Sequence, residues 1–350
     1  MTSHPAFASR RLGATDVAVV RLGIGTAGIG NLYRTVSDAE ASATLAAAFA
    51  AGVTYVDTAP HYGQGLAERR IGAGLHDGIV VSSKVGRVLE PIAPPPPGTE
   101  RHGFIDGDPF EPVYDYSYDG VMRSFETSCQ RLGRERIDIL LAHDLGRVTH
   151  GDDHSRHLKA FLDGGYRAMA ELKTDGRTGA VGLGVNEWQV CEEILAHADL
   201  DCVLLAGRYT LLEQTALDSF FPLCQRRGAS IIAGGPYNSG ILAGGAHYDY
   251  EAAPTEIVTR VWALQAVCDR HGISLAAAAL QFPLGTPLLP ASFPAWHQPP
   301  KWPPMSRPST RSSPTCSGMI CAPKACSIRR RLCQPARWRH EHRSLHPPSS

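Results

Sequence analysis

The sequence predicts an α/β fold, a (β/α)8 TIM barrel that is incomplete, with the eighth strand and following helices replaced by a disordered tail. Three observations predict it. Short apolar runs alternate with helix-like stretches seven times between Val19 and Ala233, the pattern of parallel strands joined by crossover helices. Asp57, Tyr62, Lys84 and His143 each stand just past one of the early runs, and the exit of a buried parallel strand is where such barrels keep their chemistry. After Gly285 the alternation stops.

The elements follow in order. Gly13-Ala14-Thr15-Asp16 between apolar residues predicts a small capping hairpin over Arg11–Val20. Strands are predicted at Val19–Ile24, Val53–Asp57, Ile79–Ser83, Ile137–His143, Ala180–Val185, Cys202–Leu205 and Ser230–Ala233, each a short apolar run rich in β-branched residues or leucine. Helices are predicted at Asp38–Ala51, Ala67–Leu75, Tyr118–Leu132, Tyr166–Thr174, Gln189–Ala196, Thr215–Arg226 and Glu256–Arg270. Ser37 or Asp38 can cap the first, and the alanine-rich run behind it favours helix. The Pro- and Gly-rich insertion Leu89–Tyr116 reads as a long loop over the strand exits. Ordered loops of that length are usually functional, so it is a candidate substrate lid.

The eighth unit begins with a helix at Ser274–Phe282, and Pro283-Leu284-Gly285 should lead into the closing strand. Instead Pro287, Pro290, Pro294, Pro299, Pro300, Pro303 and Pro304 follow without apolar periodicity. Proline at that density argues against a central strand or regular helix. The expected domains are a barrel over residues 1–285 and a disordered tail over 286–350. Reading each codon from its third base into the next gives a different text. Thr286 to Leu289 can then encode His-Pro-Ala-Val, and Pro290 to Ala295 can encode Ala-Ser-Val-Ile-Pro-Gly. An apolar strand followed by a Pro-Gly turn is what the eighth unit needs, so the sequence points to a frame shift near Gly285.

Composition narrows the function. Acidic and basic residues number 34 each among 350, which gives no reason to expect nucleic acid or an anionic membrane as partner. No segment has signal-peptide or membrane-spanning character, so a cytoplasmic protein with a small-molecule substrate is expected. Five cysteines, Cys129, Cys191, Cys202, Cys224 and Cys268, are scattered singly as buried thiols usually are.

The strand-exit residues suit proton transfer at an oxygen while something else carries hydride. A phenol with a pKa near ~10 is a poor acid–base group at neutral pH. Lys84 is placed to lower the pKa of Tyr62, Asp57 to hold Lys84 charged, and His143 to hydrogen-bond a carbonyl oxygen. The matching stretches are Leu22-Gly23-Ile24-Gly25-Thr26, Asp57-Thr58-Ala59-Pro60-His61-Tyr62-Gly63, Ser82-Ser83-Lys84-Val85-Gly86 and Leu141-Ala142-His143-Asp144. Gly182-Leu183-Gly184-Val185-Asn186-Glu187-Trp188 and Gly235-Pro236-Tyr237-Asn238-Ser239-Gly240 complete them. On these the chain resembles the aldo-keto reductase family from about Arg11 to Gly285.

The resemblance implies a barrel binding NAD or NADP without a Rossmann fold. It implies Tyr62 as general acid/base, Lys84 and Asp57 as its tuning pair, and His143 as carbonyl orienter. It implies cofactor contacts from Thr26, Asn186 (to the carboxamide), and Pro236, Tyr237, Ser239 and Gly240 (along the pyrophosphate). The Asn186-Glu187-Trp188 form and Asp115-Tyr116-Ser117-Tyr118-Asp119-Gly120 resemble the branch of aldose 1-dehydrogenases and pyridoxal 4-dehydrogenase. That branch oxidises a cyclic hemiacetal to a lactone. Ala206 and Gly234 stand where many members carry glutamine and a ring-stacking tyrosine. The family's segment after strand eight holds the adenosine end of the cofactor, and the chain as written departs from it. A general aldehyde or ketone reductase and a non-catalytic, decayed barrel are the alternatives.

Other signals carry less. Gly23-Ile24-Gly25-Thr26-Ala27-Gly28 matches a dinucleotide fingerprint in form, but roughly ten residues separate it from the helix at Asp38, so it reads as a barrel strand end. Cys316, Cys321, Cys326 and Cys333 fit no usual zinc spacing, and no metal is expected. Arg329-Arg330-Arg331 is a by-product of the shifted frame, and His150-Gly151-Asp152-Asp153-His154 reads as a solvated loop.

Overall fold

The computed structural model describes residues 8–286 and 289–293. Two short strands, β1 (Ser9–Arg11) and β2 (Ala18–Val20), pair antiparallel, with Arg11 opposite Ala18. They form the expected capping hairpin. The barrel strand that follows, β3, is only Ile24–Gly25. The predicted strand Val19–Ile24 therefore straddles two elements, because the apolar run continues through the bend at Arg21.

The chain then alternates. It runs α1 (Asp38–Ala50), β4 (Tyr55–Asp57), α2 (Leu66–Gly72) and β5 (Val80–Val85). After β5 come β6 (Arg87–Pro91), β7 (Glu100–Arg101), β8 (Phe104–Ile105) and β9 (Phe110–Tyr114), then α3 (Tyr118–Leu132) and β10 (Ile139–His143). Helices α4 (Arg147–His150), α5 (His154–Ala160) and α6 (Tyr166–Thr174) lead to β11 (Ala180–Val185), α7 (Gln189–Leu195) and β12 (Cys202–Ala206). Last are α8 (Phe220–Arg227), β13 (Ser230–Gly234), β14 (His247–Tyr248), β15 (Glu251–Ala252), α9 (Thr255–Arg270), α10 (Leu275–Gln281) and β16 (Ala291–Phe293). Ser37 caps α1 through a full capping box with Glu40, and Gly133 ends α3 in the left-handed conformation.

Eight strands form one parallel sheet in the order β16-β13-β12-β11-β10-β5-β4-β3. Its ends meet where Leu22 bridges Ser292 in parallel, with Gly23 N–H donating to the Ser292 carbonyl at 3.1 Å and Ser292 N–H to the Arg21 carbonyl at 2.9 Å. The sheet therefore carries an eighth strand, β16, where the sequence reading expects none. Pro290 and Pro294 bracket Ala291–Phe293 without interrupting it, so its N–H groups remain free to pair. The rest of the expected tail, with its cysteines and the Arg329–Arg331 cluster, lies outside the described residues.

Period-two alternation divides the core. Tyr55, Ile139, Leu141, Ala180, Cys202, Leu204, Ile232 and Ala291 fill the barrel interior and are closed below by Leu12, Val17, Val19 and Val20. Val56, Leu140, Ala142, Val203 and Ile231 point outward into the layer beneath the helices. The same alternation turns Asp57 inward above Tyr55, and His143 inward above Ile139 and Leu141.

The insertion after β5 is not an irregular loop. Strands β6 and β9 pair antiparallel from Arg87–Tyr114 to Pro91–Phe110, and β7 and β8 make a smaller hairpin at the tip. Nor is His150–His154 a solvated loop: it is helical, and His154 is buried with Nδ1 on the Leu145 carbonyl (3.2 Å) and Nε2 on Glu193 (3.1 Å). Among the described residues no helix is long and apolar enough to cross a membrane.

Candidate active site

Three strand exits bring the four predicted residues into one cluster. Asp57 ends β4, Lys84 lies near the end of β5, and His143 ends β10, while Tyr62 sits on the turn after β4. Lys84 Nζ donates to Asp57 Oδ2 (2.9 Å) and Oδ1 (3.1 Å), to the Thr58 carbonyl (2.8 Å) and to Tyr62 OH (3.2 Å). Ser82 Oγ donates to Asp57 Oδ1 at 2.7 Å. Lys84 is 2% and Asp57 4% exposed, and a buried ammonium is tolerated only with partners of this kind. Space for the lysine stem comes from Gly184, where a Cβ would lie 3.1 Å from Lys84 Cε. The imidazole of His143 stands edge-on to the Tyr62 ring, centroids 6.1 Å apart.

Electrostatics set the resting protonation states. Burial, then the charge of Asp57, pushes the Tyr62 phenol well above its usual range. Lys84 was expected to lower it, but the lysine charge is matched at contact distance by Asp57, so the phenol rests neutral. Burial, with Arg87, Lys84 and His61 nearby, drives His143 well below the usual imidazole range. His61 is lowered to about 2 by burial, then by Arg87, His102 and Lys84. Both imidazoles are neutral hydrogen-bonding groups.

The predicted cofactor residues lie at neighbouring exits. Thr26 is fully buried, and its hydroxyl donates to the Asp57 carbonyl at 2.9 Å, which braces β4. Asn186 is partly exposed just past β11, two residues beyond Gly184, the register partner of His143. Pro236, Tyr237, Ser239 and Gly240 form the turn after β13. Asn238 and Ser239 are left-handed there, at φ 46° and 57°. Asn238 fixes the turn to β12's exit by donating from Nδ2 to the Gly207 carbonyl at 3.0 Å. An exposed amide beside the tetrad, small residues at Ala206, Gly207, Gly234 and Gly235, and a tight turn across them fit a flat amide-bearing ring with an attached nucleotide.

Sequence reasoning missed four residues. Phe104, 3% exposed, drops from the hairpin tip onto His61 (5.3 Å) and Tyr62 (6.1 Å). Arg87, immediately after the Lys84 motif, is ion-paired with Asp144, which the His143 motif contains but to which no role was given. Their positions at strand exits were the available signal. Tyr250, on the β14–β15 turn, is 54% exposed, and its phenol is raised by desolvation first and then by the nearby Tyr62 and Asp144.

The profile of the Aldo/keto reductase family matches residues 21–295. The chain belongs to the aldo/keto reductase family. It is an oxidoreductase. It is 47% identical over 291 residues to pyridoxal 4-dehydrogenase from Microbacterium luteolum, covering 79% of this chain and 85% of that protein. It is 38% identical over 287 residues to D-threo-aldose 1-dehydrogenase from a Pseudomonas species, with the same coverages of 79% and 85%. In fold it is similar to the aldo-keto reductase AKR11C1 from Bacillus halodurans in its holo form, with TM-score 0.63, 23% identity and coverage of 83% of this chain and 87% of that one.

Proposed function

We propose that this oxidoreductase converts a cyclic hemiacetal, an aldose or a pyridoxal-like compound, to its lactone, with NAD or NADP as hydride acceptor. The observation that carries the reading is the Asp57–Lys84–Tyr62–His143 cluster: a phenol held on a buried, neutralised ammonium beside a neutral imidazole. The relatives named pyridoxal 4-dehydrogenase and D-threo-aldose 1-dehydrogenase support the substrate class.

In this mechanism His143 donates a hydrogen bond to the anomeric oxygen and orients it. Tyr62, having first lost its own proton to solvent, takes the proton from that oxygen as hydride leaves the same carbon, and so returns to the neutral phenol. Lys84 stabilises the phenolate that must be present before this transfer, and Asp57 and the Thr58 carbonyl hold Lys84 in place. A bound nicotinamide nucleotide supplies the hydride acceptor, held by Asn186 and the turn over residues 236–240. Phe104 and its hairpin exclude water above the reacting carbon.

Initial rates with NAD and NADP, on L-fucose, L-galactose, pyridoxal and simple aldehydes, test the reading. Oxidation of hemiacetals outpacing reduction of simple aldehydes is expected. The reverse preference would make the enzyme a general aldehyde reductase.

A further inference from the structure

The β6–β9 hairpin grips His143 from both of its ends. At the outgoing end Arg87 donates to Asp144 Oδ2, with its guanidinium over the Tyr114 ring at 4.9 Å. The same Asp144 oxygen lies 3.4 Å from His143 Nε2. At the returning end Tyr116, 1% exposed, donates its hydroxyl to the His143 carbonyl at 2.6 Å. Between these contacts Asp144 sits at φ 48°, a left-handed conformation that non-glycine residues adopt only when their surroundings hold them there. Its N–H is anchored on the Gly184 carbonyl at 2.9 Å.

A neutral imidazole carries one N–H, and its position follows the acceptor available. His143 Nδ1 is buried with no hydrogen-bond partner, whereas Nε2 faces the Asp144 carboxylate. We propose that Asp144, held by Arg87, is a positioning residue that fixes His143 as the Nε2–H tautomer, and that the hairpin thereby couples lid and histidine. At 3.4 Å the contact is long enough to yield to a substrate oxygen, which then receives the same proton. The inference rests on reading His143 as the orienting donor of the proposed reaction.

The test is nitrogen-15 NMR of the histidine ring combined with steady-state kinetics. The unmodified chain should show His143 protonated at Nε2 alone. Asp144→Asn should give mixed tautomers and a kcat lowered ~10-fold or more, with KM for the nicotinamide nucleotide unchanged. Because Asp144→Asn leaves Arg87 as an uncompensated buried charge, the double variant Arg87→Met/Asp144→Asn is measured beside it and should show the same mixed tautomers. Arg87→Lys, which keeps the ion pair, should retain the single tautomer and more turnover than Arg87→Met. A His143 that stays Nε2–H in the double variant would overturn the proposal. The NMR arm reads the tautomer whether or not any substrate turns over, so it fails separately from the proposed reaction.

Discussion

Tyr62 rests as a neutral phenol, and its two possible tasks respond to pH in opposite ways. Donating a proton in the reducing direction needs the neutral form, which the raised pKa maintains, so reduction should be flat through neutral pH. Accepting a proton in the oxidising direction is favoured as pH rises towards the phenol's range, so oxidation should climb with pH. Tyr62→Phe should lower turnover by about 10²- to 10⁴-fold in both directions while leaving the unfolding midpoint nearly unchanged. A pH profile of kcat for each direction checks the pair. The histidines give a stability prediction of definite sign. His143 and His61 titrate near ~6.5 in the unfolded chain but stay neutral in the folded one. Above that pH both states are neutral and stability is unaffected. Below it the unfolded chain alone takes up protons, so stability falls as pH falls. Fully buried His143 contributes about 1 kcal/mol per pH unit in that window. Urea midpoints measured at pH values either side of it should drop on the acid side, and His143→Gln should flatten the drop.

Among elements, α2 and α3 are tied to β5 by a buried charge. Glu68, fully buried, accepts from Ser83 Oγ at 2.5 Å and from Arg131 Nε at 2.7 Å. Glu68→Ala leaves Arg131 without its partner and should cost ~3–5 kcal/mol, read as a lower melting temperature. Strands β6 and β9 pair only with each other, but the tip between them is bonded to the barrel, with Tyr33 N–H on the Gly103 carbonyl (3.0 Å) and Ile105 N–H on the Asn31 carbonyl (3.1 Å). Replacing Ile92–Pro109 by an Asn-Gly turn should raise substrate KM, since Phe104 leaves the pocket, and lower the melting temperature, since Asn31 and Tyr33 lose their partners. Elements were legible where local signals agreed. Tyr118–Leu132 was readable to the residue because Ser117 caps it and Gly133 stops it. The lid strands were hidden because Pro- and Gly-rich sequence surrounds short pairings such as Val88 with Val113. Strand β16 was hidden by its flanking prolines, which weigh on any window wider than three residues. At the site, the tetrad was visible because its four residue types recur at strand exits. The Arg87–Asp144 contact joins residues 57 apart in sequence, and only the fold brings them together.

Across the whole molecule, ring closure among the described residues rests on three residues of β16 and one bridge to Leu22. Its neighbours are better paired: β12 and β13 share five register positions. This thinly paired seam coincides with the point where we propose that the reading frame shifts. We propose that the in-frame text beyond Gly285 restores a longer strand and the nucleotide-binding segment after it. An in-frame counterpart should then melt at a higher temperature and bind NAD or NADP more tightly than the chain as written. Calorimetry and nucleotide titration of both forms check this. The most direct measurement is product analysis of L-fucose and pyridoxal oxidation by both forms, beside Tyr62→Phe, with lactone and reduced nicotinamide counted together. Equal amounts of lactone and reduced cofactor, lost in Tyr62→Phe, are predicted. No lactone from either form, or undiminished lactone from Tyr62→Phe, would contradict the assignment.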